Sequence, residues 1–405
     1  MALTATCTIP VLNSVIEILS LAKPTTLLEN ENTKDDIRGT LVLKNPIWRS
    51  NLRYQVLLKP NSLAKQVEKI ISWILENHPN EKGIIYCRTI KETEDIYRAI
   101  NGSQVHGKAI TVGYYHSEIP EVNKRNTHKR WKLGDIKVII ATIAFGMGIH
   151  EPGVRFVIHS YASKSPEAYY QESGRAGRDG NPATCVLFYK PTDASKLTTM
   201  GVGSGISEVV VKSWRMVEYC EQVANCRKLW FENYFGTLNS VSSGSTMSEK
   251  MCNTCDICEL RYETHKNSSI SRSVLSRDIT TEAATVINLV YVLGSNANSS
   301  PTFIQLVDVW LGSSAHKNFT PHVKPLTDSC AFVEIPVNKK KFSRLECERI
   351  VNCLILRRYI VETYHATGYN IIPRLSVNKK KSAPYLHDQT SDDFPNITMY
   401  MITDS

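Results

Sequence analysis

Between residues 50 and 190, short unbroken apolar runs alternate with longer segments whose apolar residues recur at a helical period. Residues 64–77 carry Val67, Ile70, Ile71, Ile74 and Leu75 on one helical face and lead into the run Gly-Ile-Ile-Tyr-Cys at 83–87. The alternation continues with a helix expected over 92–100, a strand over 109–115, a helix over 121–133, and strands over 138–142 and 154–159. Strands this apolar have no face to give to water, so both faces must be covered. The expected fold class is therefore α/β, a parallel sheet with helices on either side. Ligands of such sheets gather at the loops that follow the strand C-termini.

Composition narrows the remaining classes. An apolar share of 42% supplies real cores and excludes a wholly disordered chain. The longest apolar run, 138–149, contains two glycines and falls short of the roughly 20 residues that cross a bilayer, so no membrane partner is expected. The first residues lack a basic start, and Asn13, Ser14 and Glu17 interrupt them before a signal-peptide core can form. With 48 Lys plus Arg against 39 Asp plus Glu, the net charge of +9 biases the choice of partner toward polyanions.

Past this region the chain turns mainly helical, over 194–224. Residues 237–248 are rich in Ser, Thr, Gly and Asn and read as a flexible loop. Residues 263–277 read as a linker to a last domain that starts near Asp278. Helices are expected there over 281–293, 303–311 and 344–356, then strand-like runs over 359–364 and 371–377 about a turn at Gly368. Three helices and a terminal hairpin suggest a winged helix. The tail after Ser382 is polar and expected to be loose.

The chain has 11 cysteines, an odd number, and four of them are grouped: Cys226, Cys252, Cys255 and Cys258. The last three are spaced so that neighbouring thiolates converge on one ion, and Cys226 can supply the fourth ligand of a closed tetrahedral site. That is structural zinc in a reducing compartment rather than a disulfide framework. The plainer alternative, reduced core thiols, fits poorly with the polar residues between them. Cys220 is a weaker ligand candidate and is expected to pack.

The runs GIIYC, GYYHS, ATIAFGMGI and QESGRAGRDG follow one another in that order. At these residues the sequence resembles the RecQ family of superfamily 2 DNA helicases, from helicase motif III onward. Met1-Ala-Leu-Thr-Ala-Thr looks like motif III, the stretch ending at Cys87 resembles motif IV, 141–149 motif V and 171–180 motif VI. The resemblance implies that Arg178 is the arginine finger of an ATPase, that Arg175 bridges two lobes and that Gln171 reaches toward the phosphate side. A guanidinium fixed beside the γ-phosphoryl group is worth roughly 10³–10⁵ in rate. An ordinary surface Arg pair held by ion pairs is the alternative. Gly174 and Gly177 leave room for close backbone approach.

Thr142 follows a buried strand, so its hydroxyl and the amides near Gly146 and Gly148 can face a phosphate. Gly146, Gly148 and His150 form the expected cofactor-side set, with His150 where family members usually have Asp or Asn at the nucleotide sugar. Thr89 keeps the motif IV hydroxyl, while Ile90 stands where an Arg often follows. His116 resembles the family's Tyr-His pair. With Thr142, these make Thr89 and His116 DNA-binding candidates. At the expected wing tip lie Tyr369 and Asn370, followed by Lys379, Lys380 and Lys381, which can hold backbone phosphates in a salt-dependent way.

A motor of this class also needs a Walker A loop. The nearest match, at 102–109, ends in Ala109, which cannot ligate magnesium, and it lies between a helix and a strand rather than after a strand. No Asp-Glu-x-His follows. The resemblance thus implies a RecA-like parallel-sheet lobe, then a helical zinc-binding subdomain and a winged helix. The expected division is a first-lobe remnant at 1–44, the second lobe at 45–195, the zinc subdomain at 196–270 and the winged helix with tail at 271–405. The expected function is the C-terminal portion of a nuclear 3′–5′ DNA helicase acting on single-stranded and forked or duplex DNA. ATP and magnesium would be used only with the missing first lobe supplied. The alternatives are a non-catalytic zinc and winged-helix DNA-binding module, or a decaying gene copy.

Overall fold

The computed structural model describes residues 4, 6–22, 24–25, 39–42, 47, 49–102, 110–146, 151–203, 207–236, 251–266, 272–296, 300–313, 342–367, 370–386 and 395–404. The chain begins with α1 (Ile9–Ile18) and a short parallel pair, β1 (Pro24–Thr25) with β2 (Thr40–Leu41). Then come β3 (Leu52–Leu58), α2 (Leu63–Asn77), β4 (Lys82–Tyr86), α3 (Ile90–Asn101), β5 (Val112–Tyr115), α4 (Glu121–Leu133), β6 (Val138–Ala141), β7 (Val154–His159), α5 (Pro166–Ser173) and β8 (Ala183–Tyr189). Helices α6 (Asp193–Gly203), α7 (Ser207–Glu221), α8 (Arg227–Phe235) and α9 (Asp256–Lys266) follow. The remainder is β9 (Arg272–Asp278), α10 (Thr280–Asn296), α11 (Phe303–Trp310), α12 (Arg344–Leu356), β10 (Ile360–Ala366), β11 (Ile371–Val377), α13 (Lys379–Ser382) and β12 (Thr398–Asp404).

The expected α/β fold is present. Strands β3 to β8 form a six-stranded sheet in the order β3-β8-β7-β4-β6-β5, and every neighbouring pair is parallel. Each strand's residues alternate between the two faces. In β6, Val138 and Ile140 join the core beneath α2 and α3, while Ile139 and Ala141 join the opposite core with Trp131, Phe145, Tyr169 and Phe231. The helices start where their caps allow: Ser62 accepts from Lys65 N at α2, and Ser165 accepts from Ala168 N at α5. Gly134, at φ +89°, closes α4 in the left-handed conformation.

The packing of neighbouring strands is tight enough that one added methyl is felt. A Cβ on Gly83 would lie 2.0 Å from Cε2 of Phe156 on the neighbouring strand. Gly83→Ala should therefore cost about 1–3 kcal/mol, the usual range for overpacking, seen as an earlier midpoint in urea unfolding. An unchanged midpoint would contradict this packing.

The C-terminal part has its own core, built by Ile287, Leu306, Val351 and Leu354 from α10, α11 and α12 with Ile360 and Leu375 from the β10–β11 hairpin. Two expectations are corrected here. The stretch 263–277 is not simply a linker, because it ends in β9, and the described end of the tail after Ser382 is not loose, because residues 398–404 form β12. These two strands pair antiparallel over their full lengths. The cause is a period-two pattern inside polar sequence: Ile397, Met399 and Met401 are buried in the C-terminal core. Tyr385 is buried there too, with its hydroxyl donating to Pro395 O at 2.5 Å.

This part is fastened to the rest by two carboxylates. Glu221, at the end of α7, accepts from Tyr189 Oη at 2.8 Å, Asn352 Nδ2 at 2.7 Å and Arg349 Nε at 3.1 Å. Glu362 of β10 accepts from Thr198 Oγ1 at 3.0 Å, Ser195 Oγ at 3.3 Å and Tyr364 Oη at 2.7 Å. Burial pushes the Glu362 carboxyl above its usual range, an effect these hydroxyl donors offset in part.

Candidate functional site

Helix α5 delivers a tight loop, 174–180, that carries both candidate arginines. The helix is pinned from below by Glu172, whose carboxylate accepts from Ser163 Oγ at 2.6 Å and meets His159 Nε2 at 3.0 Å. Gly177 takes φ +57°, and a Cβ there would sit 2.5 Å from Asn51 Nδ2, so only glycine fits. Arg49 donates from Nη1 to Gly174 O at 3.0 Å and from Nη2 to Gly177 O. Asn51 Nδ2 donates to Gly177 O and Asn181 O, each at 2.8 Å. The loop's carboxylate, Asp179, is committed to Arg155 Nη2 at 2.6 Å; that hydrogen bond, with another from Asn181, holds its acid form down to about 2.

The arginines of the loop differ in setting. Arg175 reaches back, its Nη1 donating to Gly146 O. A Cβ on Gly146 would lie 2.4 Å from Arg175 Nη2, so the absence of a side chain at 146 makes space for this guanidinium. Arg178 is exposed. Partial burial, then the neighbouring Arg175 and Arg49 charges, lower its proton affinity, though a guanidinium remains cationic throughout. Gln171, exposed on α5, donates from Nε2 to Thr6 Oγ1 at 3.0 Å, within the stretch that looks like motif III. Gly148 and His150 lie outside the described residues, as does 103–109 of the Walker-like segment.

Thr89, His116 and Thr142 follow the C-termini of β4, β5 and β6, which are neighbours in the sheet, so the topology brings them to one edge. Their surroundings differ. Thr89 caps α3, its Oγ1 accepting from Glu92 N at 3.1 Å. His116 is 4% exposed, its ring tilted 32° to that of Tyr114 and 3.5 Å from Glu94 Oε1. Thr142 N donates to Tyr115 O at 3.2 Å, tying the ends of β6 and β5. In the C-terminal part, Tyr369 lies outside the described residues, while Asn370 accepts through its carbonyl from Thr367 at the hairpin turn. Lys379, Lys380 and Lys381 form one turn of helix, α13. Lys381 is used internally: its Nζ donates to Arg357 O at 2.7 Å and lies 4.8 Å from the Tyr359 ring centroid.

The sulfurs of Cys226, Cys252, Cys255 and Cys258 all lie within 4.8 Å of one another. Cys252 and Cys258 are 3.9 Å apart, close to the ~3.8 Å edge of a tetrahedron with Zn–S bonds of about 2.3 Å. Hydrogen bonds from the Cys226, Cys255 and Cys258 thiols hold the Cys252 thiol well below its ordinary value. Four sulfurs leave no open position, so the group fits structural zinc. Cys220 is buried in the core and stands apart from the group. The metal loop is braced by Arg227, 2% exposed, which donates from Nε to Asp256 Oδ1 at 2.5 Å and from Nη1 to Tyr219 O at 2.9 Å.

Sequence motifs do not point to Arg49 and Asn51, which hold the arginine loop, because they contact it across more than 120 residues of chain. Arg227 is adjacent to Cys226, but its partner Asp256 is apparent only after folding.

Residues 64–180 match the helicase conserved C-terminal domain, and residues 193–259 match the RecQ zinc-binding family. The chain is 32% identical over 380 residues to ATP-dependent DNA helicase Q1 of Mus musculus, covering 94% of this chain and 50% of that protein. It is 31% identical over 378 residues to its namesake in Pongo abelii, covering 93% and 50%. With RecQ-like DNA helicase BLM of Xenopus laevis it shares 32% over 365 residues, covering 84% and 24%. The chain spans about half the length of the curated helicase Q1 relatives it matches. With a helicase C-terminal domain followed directly by a RecQ zinc-binding domain, and with relatives of the same kind along most of its length, the chain belongs to the RecQ family, as a C-terminal region.

Proposed function

We propose that this chain is the C-terminal portion of a RecQ-type, ATP-dependent 3′–5′ DNA helicase of the nucleus, acting in DNA repair and recombination. The observation that carries this reading is the arginine loop: Arg175 is anchored on Gly146 O, the loop carbonyls are held by Arg49 and Asn51, and Arg178 is left exposed. A charge held by a pre-formed loop at a surface suits stabilisation of a γ-phosphoryl group bound on a facing lobe. Gln171 and the Gly146–His150 segment would border that nucleotide. Thr89, His116 and Thr142 would follow one DNA strand along the sheet edge.

The metal set Cys226, Cys252, Cys255 and Cys258 would hold zinc with a purely structural part. Helices α10 to α12 and the β10–β11 hairpin support a winged helix, with Tyr369 and Asn370 toward the duplex end and Lys379 to Lys381 near backbone phosphates. The second lobe would occupy 45–195, the zinc subdomain 196–270 and the winged helix 271–405, with 1–44 a remnant of the first lobe. ATP and magnesium enter this scheme through a first lobe bearing the phosphate loop and metal carboxylate.

An ATPase assay tests the division of labour. The chain alone, with magnesium, ATP and single-stranded DNA, should show no DNA-stimulated turnover, yet should bind the DNA with an affinity that falls as salt rises. Clear turnover by the chain alone would overturn the reading.

A further inference from the structure

The zinc loop and the arginine loop are joined by a short series of polar contacts that runs through Lys228. This lysine lies two residues after Cys226 and is only 4% exposed. Its Nζ donates to Thr254 Oγ1 at 2.8 Å and to Ser50 O at 3.2 Å. The Thr254 hydroxyl in turn sits 3.5 Å from Cys252 Sγ. Ser50 lies between Arg49 and Asn51, the residues that grip the carbonyls of Gly174, Gly177 and Asn181.

The same metal loop takes hold of β3 further along. Asp256 Oδ2 accepts from Val56 N at 2.9 Å, and Glu259 accepts from both Arg53 Nε, at 2.7 Å, and Arg53 Nη2. Strand β3 is an edge of the sheet, so its outer amides have no ladder partner and depend on such contacts. Four thiolates around a dication leave a net negative centre, which favours a buried ammonium beside it.

We infer that Lys228 is a positioning residue: zinc orders Cys252 and Thr254, Lys228 passes that order to Ser50, and Arg49 and Asn51 deliver it to the loop that presents Arg175 and Arg178. Its catalytic meaning rests on the role proposed above for Arg178, but the coupling itself does not. Loss of the ammonium frees the Ser50 carbonyl, and the segment 49–51 then no longer holds the loop in one conformation.

Amide hydrogen exchange on the zinc-loaded chain reads this without any nucleotide. Lys228→Met should raise exchange over 174–181 by about tenfold through local opening, with α3 and the β10–β11 hairpin unchanged. Lys228→Arg, which keeps charge and reach, should restore most of the protection. Thr254→Val removes only the hydroxyl that Lys228 meets; it should shift the same segment in the same direction, and it decides the matter if Lys228→Met does not fold. Exchange over 174–181 that stays at the wild-type rate in Thr254→Val, or that rises equally in α3 and the hairpin, overturns the inference. Failure of Arg178 to affect ATP hydrolysis would be a separate result, against its proposed role and not against the coupling.

Discussion

Arg178→Ala, in a protein that carries this chain behind a nucleotide-gripping lobe, should lower kcat for DNA-stimulated ATP hydrolysis by about 10³–10⁵. Its unfolding free energy should stay within about 0.5 kcal/mol of wild type. Both expectations come from the same geometry. The guanidinium is exposed, while the loop is shaped by hydrogen bonds from Arg49, Asn51 and Arg155 and by the left-handed Gly177. Arg175→Ala should behave differently. It removes the charge-assisted bond to Gly146 O and empties the space above that glycine, so about 1.5–3 kcal/mol of stability should go together with activity. The informative measurement pairs turnover at saturating DNA with urea unfolding for both variants. Retention of full turnover by Arg178→Ala would remove the arginine finger from this position.

Removing zinc should have the largest effect on the fold. A structural four-ligand site contributes an apparent ~10–16 kcal/mol, as large as the 5–15 kcal/mol net stability of a typical domain. Without the ion, only weak thiol–thiol contacts draw the four sulfurs together, and Cys255→Ser, at a fully buried position, should be as damaging as chelation. Near-UV circular dichroism is the suitable readout. Helix α8 follows directly on Cys226 and sets Trp230 against Tyr219 and Phe231 against Tyr169, an aromatic cluster reaching into the sheet core. Chelation should erase that signal and release one equivalent of zinc. An intact near-UV spectrum in metal-free protein would show that the sulfurs are ordinary core thiols.

How much of this was legible depended on how local the signal was. Strand β6 and helices α2 and α12 follow from periodicity almost to the residue, because continuous burial or one apolar face leaves a clear pattern. Strand β3 does not, since Arg53 and Gln55 interrupt it; as an edge strand it turns Arg53 to Glu259 of α9. Strands β9 and β12 find each other across more than a hundred residues, and β9 reads as polar linker until its partner is known. In the site, the cysteine spacing announced its own chemistry. The arginines were marked by motif, whereas Arg49, Asn51 and Lys228 carry no motif and act through contacts, many of them to main-chain carbonyls, that form only on folding.

The fastening of the C-terminal part by Glu221 and Glu362 has a mechanical consequence. Tyr189 closes a sheet strand, Glu221 ends a helix of the middle region, and Asn352 and Arg349 belong to α12, so one carboxylate knots all of them together. Helix α12 is thus pinned by Arg349 and Asn352, and the hairpin is clamped to α6 by its own acid. Moving α12 or the hairpin relative to the sheet therefore requires breaking one of these two carboxylate clusters.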